Sequence, residues 1–133
     1  MKNLFRFTIL FVLFLGVSAC GSSQADSDPV AVLEALEAAH NAKDPDGVAA
    51  LYAEDGYEVN GEGKFTGPEE IRELYARVVN VFTLDCNNYV VNGNNVTYEC
   101  ILTIDNIRAG ERYEAVVENG KIKSNVLTET FTP

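Results

Sequence analysis

The chain has no tryptophan, one histidine, one methionine and three cysteines, Cys20, Cys86 and Cys100. A single imidazole and no Cys-x-x-Cys spacing leave nothing from which to build a zinc constellation. Glycine never gathers into a phosphate-cradling loop. Asp44-Pro45-Asp46-Gly47 has the opening of a calcium loop, but Pro45 and the missing later ligands break its spacing. No metal and no cofactor are therefore expected. Beyond residue 27 the one serine is Ser124, with no His/Asp arrangement to activate it. Positive charge is also scarce, 10 Lys+Arg against 20 Asp+Glu. So acidic a surface repels phosphate backbones and anionic lipid, which excludes nucleic acid as a partner. There is no internal repeat and no long low-complexity segment, and the acidity reads as solubility.

The N-terminus supplies Lys2 and Arg6, then an apolar stretch from Phe7 to Val17, then the small pair Ser18-Ala19. That stretch falls short of the roughly 20 residues of a membrane-spanning helix and has the layout of an export signal. Val17-Ser18-Ala19-Cys20 resembles the bacterial lipobox, which implies lipidation of Cys20 as the first mature residue. On this reading residues 1–19 are a lipoprotein signal peptide, 20–27 the lipidated cysteine with a flexible Gly-Ser-Ser-Gln tether, and 28–133 one folded domain. The expected location is extracytoplasmic, anchored to the cell membrane or outer membrane; Gly21 in place of Asp carries no inner-membrane retention signal. An ordinary secretory signal that happens to contain a cysteine is the alternative. Removing the leader takes away two of the ten basic side chains and no acid, so the net charge moves from −10 to −12.

Asp28-Pro29 predicts a capped helix start. Val30, Leu33, Leu36 and His40 then follow one helical face, and Lys43-Asp44-Pro45 ends it. A shorter helix is expected from Asp46, with Val48, Leu51 and Tyr52 inward and Asp55-Gly56 as its stop. Tyr57 to Val59 reads as a short strand that turns through Asn60-Gly61-Glu62-Gly63. Thr66 and Glu69 have capping-box spacing ahead of a third helix, whose Ile71, Leu74, Tyr75 and Val78 form an apolar stripe. After Asn80 the period becomes two. Phe82, Leu84, Cys86, Asn88 and Val90 share one face of a strand, and Val96, Tyr98, Cys100, Leu102 and Ile104 the apolar face of the next. Turn Asn92-Gly93-Asn94 places paired positions near a sum of 186, so Cys86 faces Cys100 within disulfide reach. In an exported chain this predicts a Cys86–Cys100 bridge. Asn119-Gly120 predicts a type I′ hairpin pairing Val117 with Ile122, Ala115 with Ser124 and Tyr113 with Val126. Helices followed by long strands make an α+β domain.

Ala38-Ala39-His40-Asn41-Ala42-Lys43-Asp44, Val48 to Asp55, Phe65 to Arg72 and the Glu118-Asn119-Gly120-Lys121-Ile122 turn together resemble the nuclear transport factor 2-like superfamily, in its SnoaL-like branch, over residues 29–131. The resemblance implies three helices packed into a strongly curved antiparallel sheet, cone-shaped, with a pocket at the open end. It also implies a choice among isomerases, cyclases, dehydratases and non-catalytic binders. The ketosteroid isomerases of this fold use an acidic base where this chain has Asn60, and a first-helix tyrosine donor at or beside Leu36. An amide cannot take the substrate proton and leucine cannot donate, so the isomerase reading is rejected.

His40 shares the Leu33/Leu36 face. It is either a general base or ligand donor, or a buried histidine satisfied by a nearby carbonyl or tyrosine, and the second reading is preferred. Glu58 lies between Tyr57 and Val59; if those face the core, alternation turns it to solvent. Tyr52, Tyr57, Tyr75, Tyr98 and Tyr113 all fall on apolar faces and, with His40 and Asn60, are the expected lining of a small-molecule pocket. The leading expectation is a membrane-anchored domain that binds a small apolar ligand or docks a partner without catalysis. The alternative is a cyclase, isomerase or dehydratase using His40 and a pocket acid. A homodimer through the rather polar outer sheet face is a third possibility.

Overall fold

The computed structural model describes residues 28–133, so the lipobox, Cys20 and the tether lie outside the described residues. The elements run α1 (Pro29–Asn41), α2 (Pro45–Ala50), β1 (Tyr52–Asn60), β2 (Gly63–Thr66), α3 (Gly67–Val78), β3 (Thr83–Asn92), β4 (Asn95–Ile104), β5 (Ile107–Glu118) and β6 (Lys121–Phe131). Three helices pack on one six-stranded sheet of order β2-β1-β6-β5-β4-β3. This is the expected α+β architecture, with one difference: β1 pairs with β6 in parallel, and only the other pairs are antiparallel.

The helix starts follow the sequence closely. Asp28 accepts the backbone N–H of Val30, and Asp44 accepts that of Gly47, each with proline directly after the cap. At α3 the capping box is not formed. Thr66 makes no side-chain cap, and Glu70 rather than Glu69 accepts the Thr66 N–H. The core joins Leu33 and Leu36 of α1, Ile71 and Leu74 of α3, and Val96 and Ile122 of the sheet. Burying such side chains contributes about 1.5–3 kcal/mol each.

Bulges decide which side chains reach that core. Near its turn, β3 pairs with β4 as Asn92 with Asn95 and Val90 with Thr97; beyond Asn88, whose φ is 56°, the register becomes Asn87 with Glu99. The extra residue restores the Cys86–Cys100 pairing, and a disulfide joins the two. It also turns Tyr89 inward and leaves Val90 64% exposed, reversing the face expected for Asn88 and Val90. In the last hairpin, Asn119 and Gly120 both take positive φ, as type I′ requires. Lys123 is then an unpaired extra residue, so Ala115 faces Asn125 and Tyr113 faces Leu127, one position beyond the expected Ser124 and Val126. Each bulge bends its strand, and together they curve the sheet around the helices.

Closing a loop of about 15 residues should make the disulfide worth roughly 3 kcal/mol. Urea unfolding of the Cys86→Ala/Cys100→Ala protein is expected to show a loss of that size, with a somewhat steeper slope because the unfolded chain is no longer cross-linked. A loss under about 1 kcal/mol would mean that strain or residual structure cancels the entropy gain.

Candidate functional site

Tyr52 opens β1 instead of closing a helix. Four residues, Ala53 to Gly56, loop out between the Tyr52–Ile122 and Tyr57–Ser124 pairs. Gly56 presses against β6 there; a Cβ on it would lie 2.5 Å from the Ile122 carbonyl oxygen. Beyond the loop Glu58 pairs with Asn125 and points inward, only 4% exposed. The expectation that Glu58 is solvated is thus wrong. Tyr57 and Val59 take the outer face, and the Lys64 ammonium sits 4.0 Å above the Tyr57 ring.

A buried carboxylate is costly unless hydrogen-bonded, and this one is heavily supplied. Oε2 accepts the hydroxyls of Tyr52 at 2.6 Å and Tyr75 at 2.8 Å. Oε1 accepts the Asn60 amide at 3.3 Å. Burial raises the Glu58 carboxyl above its ordinary range, while the hydroxyls and amides pull it back. Burial and the adjacent Glu58 charge hold Tyr52 and Tyr75 well above the usual phenol value, so both remain donors. Asn125, brought inward by the Lys123 bulge, accepts the Tyr98 hydroxyl at 2.9 Å. Tyr98 in turn stacks between Tyr89 and Tyr113, with centroids 5.6 and 5.4 Å away.

Above Glu58 lies a cavity of about 100 Å³. Its polar lining comes from His40, Glu58, Asn60, Tyr75, Glu111 and Tyr113, and its apolar wall from Leu74, Val78, Phe82 and Leu84. Glu62 stands at the rim, 3.3 Å from the Arg77 guanidinium. The Tyr113 hydroxyl donates to the Glu111 carboxylate. His40 is fully buried and stacked on Phe82 at 4.8 Å; its Nε2 lies 2.9 Å from the Phe82 carbonyl, which fixes the proton there. Its Nδ1 has no hydrogen-bond partner among the described residues. Burial lowers the His40 pKa, so the ring is neutral near pH 7.

Four of the seven residues singled out in the sequence, His40, Asn60, Tyr75 and Tyr113, therefore line this cavity. Tyr52 and Tyr98 lie behind it as supports. Tyr57 faces away, into a wider outer groove of about 590 Å³ shared with Val90, Thr97, Glu114 and Val126. Sequence reasoning missed Glu58, Glu111 and Asn125. Period-two counting from Tyr52 would have turned Glu58 inward, whereas no local signal marks the bulge that turns Asn125.

The SnoaL-like domain family matches residues 32–124. No curated protein matches the chain. Similar solved structures include an NTF2-like protein of unknown function from Cytophaga hutchinsonii, 14% identical, covering 76% of this chain and 88% of that one at a TM-score of 0.67. A protein of ketosteroid isomerase-like fold from Catenulispora acidiphila, in complex with trimethylamine, is 21% identical over 74% of this chain and 84% of its own, at 0.65. A candidate polyketide cyclase from Sinorhizobium meliloti is 12% identical over 74% and 94%, at 0.67. At such identities the likeness establishes the fold.

Proposed function

The chain belongs to the SnoaL-like domain family, and from that premise we propose that it is a lipid-anchored envelope protein that binds a small ligand in the Glu58 cavity without catalysis. The observation that carries this reading is the use to which the site's donors are put. Tyr52, Tyr75 and Asn60 all donate to Glu58, Tyr113 donates to Glu111, and His40 donates through Nε2 to a backbone carbonyl. Isomerase or cyclase chemistry that passes through an enolate needs donors aimed at a developing oxyanion. Apart from the second N–H of the Asn60 amide, the groups left facing the cavity are acceptors, which would oppose that charge. Glu58 and His40 do line one cavity, which favours the enzymatic alternative, but a base without an opposing oxyanion hole lacks the larger part of the catalytic effect.

The disulfide fits an oxidising, extracytoplasmic compartment. Among the described residues no helix is long and apolar enough to cross a membrane. A membrane location would rest on Cys20. Native mass spectrometry of the protein purified from its own host is expected to show a bound mass that is lost on denaturation and absent from Leu74→Trp, which fills the cavity. A protein that is ligand-free by this measure, with wild type and variant indistinguishable, would count against the binding role.

A further inference from the structure

We infer that the ligand of the Glu58 cavity is a small organic cation, an ammonium group carried on a compact apolar body; this rests on the binding role just proposed and specifies its chemistry. A carboxylate offers about four acceptor sites; those of Glu58 are taken by the Tyr52 and Tyr75 hydroxyls and the Asn60 and Asn125 amides, all neutral donors, so among the described residues no cation stands beside it. Glu111 receives only the Tyr113 hydroxyl among the hydrogen bonds of the described residues. His40 is fully buried, lines the same cavity, and has an unpartnered Nδ1 that can only accept once Nε2 carries the proton. Glu111 and His40 thus ask for N–H or O–H donors from whatever enters, and Glu58 adds a carboxylate with no cation beside it. An anion would meet three carboxylates and, among the described residues, no free cation in the lining, because Arg77 stands outside it and is paired with Glu62. A neutral guest would leave two buried or half-buried charges without a counter-ion.

The walls fit the same guest. Phe82, Tyr75 and Tyr113 present aromatic surface, and Leu74, Val78 and Leu84 aliphatic surface, around the carboxylates. Aromatic faces attract ammonium groups, and more strongly when water is excluded. A bare metal ion fits less well: among the described residues no group of three His, Cys, Asp or Glu side chains is placed to hold one. A 150 Å³ cavity accommodates benzene, so about 100 Å³ suits a body of about four non-hydrogen atoms.

NMR titration of the full-length protein in detergent, observing the His40 ring signals, tests this with three probes of similar size: isopropylammonium, isopropanol and acetate. Isopropylammonium should shift His40 saturably and bind at least about tenfold more tightly than isopropanol, the size expected for a charge-assisted hydrogen bond. Glu111→Gln should weaken it by several-fold; Glu58→Gln should weaken it further, and the Glu111 variant keeps the test intact if the Glu58 variant misfolds. Equal binding of isopropanol, or saturable binding of acetate at His40, overturns the cation while leaving a ligand-binding role standing. If no probe moves His40 although native mass spectrometry shows a bound ligand, the cation alone falls; if that ligand is also missing, both readings fall.

Discussion

Glu58→Ala is expected to cost the domain about 2–5 kcal/mol, with Glu58→Gln close to wild type near neutral pH. Alanine removes the acceptor shared by Tyr52 and Tyr75 and leaves two buried hydroxyls unpaired, at about 1–3 kcal/mol each. It also enlarges an existing cavity, which adds a further cost. Part of this is offset because a buried carboxylate is no longer desolvated. Glutamine keeps a carbonyl for the two hydroxyls and carries no charge to desolvate. The two variants should also part company with pH. Burial raises the Glu58 carboxyl in the folded state, so the folded protein holds that proton more tightly than the unfolded chain. The stability of wild type relative to Glu58→Gln is therefore greatest below the unfolded carboxyl value, about 4.3. It declines as pH rises through the higher folded value, by at most about 1.4 kcal/mol per pH unit. Urea melts of the three proteins from pH 3.5 to 8 measure both effects. An alanine variant as stable as wild type at pH 7 would show that the tyrosine network does not depend on the carboxylate.

Cys20→Ser is expected to move the protein from the membrane fraction to the soluble one. A single acyl chain holds a protein only marginally, whereas two or more, at about 0.8 kcal/mol per buried CH₂, hold it stably. The domain itself offers little alternative attachment, since its net charge is strongly negative and would be repelled by anionic lipid. Fractionation of cells expressing each form, with a high-salt wash, gives the result directly. Variant protein that stays bound after the wash would remove the lipid-anchor reading. Processing that continues normally in the variant would identify the leader as an ordinary secretory signal.

Much of the scaffold was legible because it depends on local chemistry. The cap at Asp28, the Ile71/Leu74/Tyr75 stripe and the Asn119-Gly120 turn act within a few residues of themselves. The Cys86–Cys100 pairing was legible too, although it is reached through a bulge at Asn88 and not through an uninterrupted ladder. The site was only half legible. His40, Tyr75 and Tyr113 stood out as polar groups on apolar faces and Asn60 through the family resemblance, but Glu58 was assigned to solvent because Tyr57 and Val59 were expected to face the core.

By itself the sequence determines the elements, the order of helices and hairpins, the acidic surface and the cysteine pair, since propensity, capping, turn chemistry and alternation are written residue by residue. Only the tertiary structure decides which of those residues meet. The Ala53–Gly56 loop and the parallel β1–β6 pairing join residues more than 60 apart, and the Lys123 bulge shifts the register inside the last hairpin without a turn or glycine signal to mark it. They turn Glu58 and Asn125 to one face, set two tyrosines on one carboxylate, and convert an ordinary acid on an edge of the sequence pattern into the floor of the cavity.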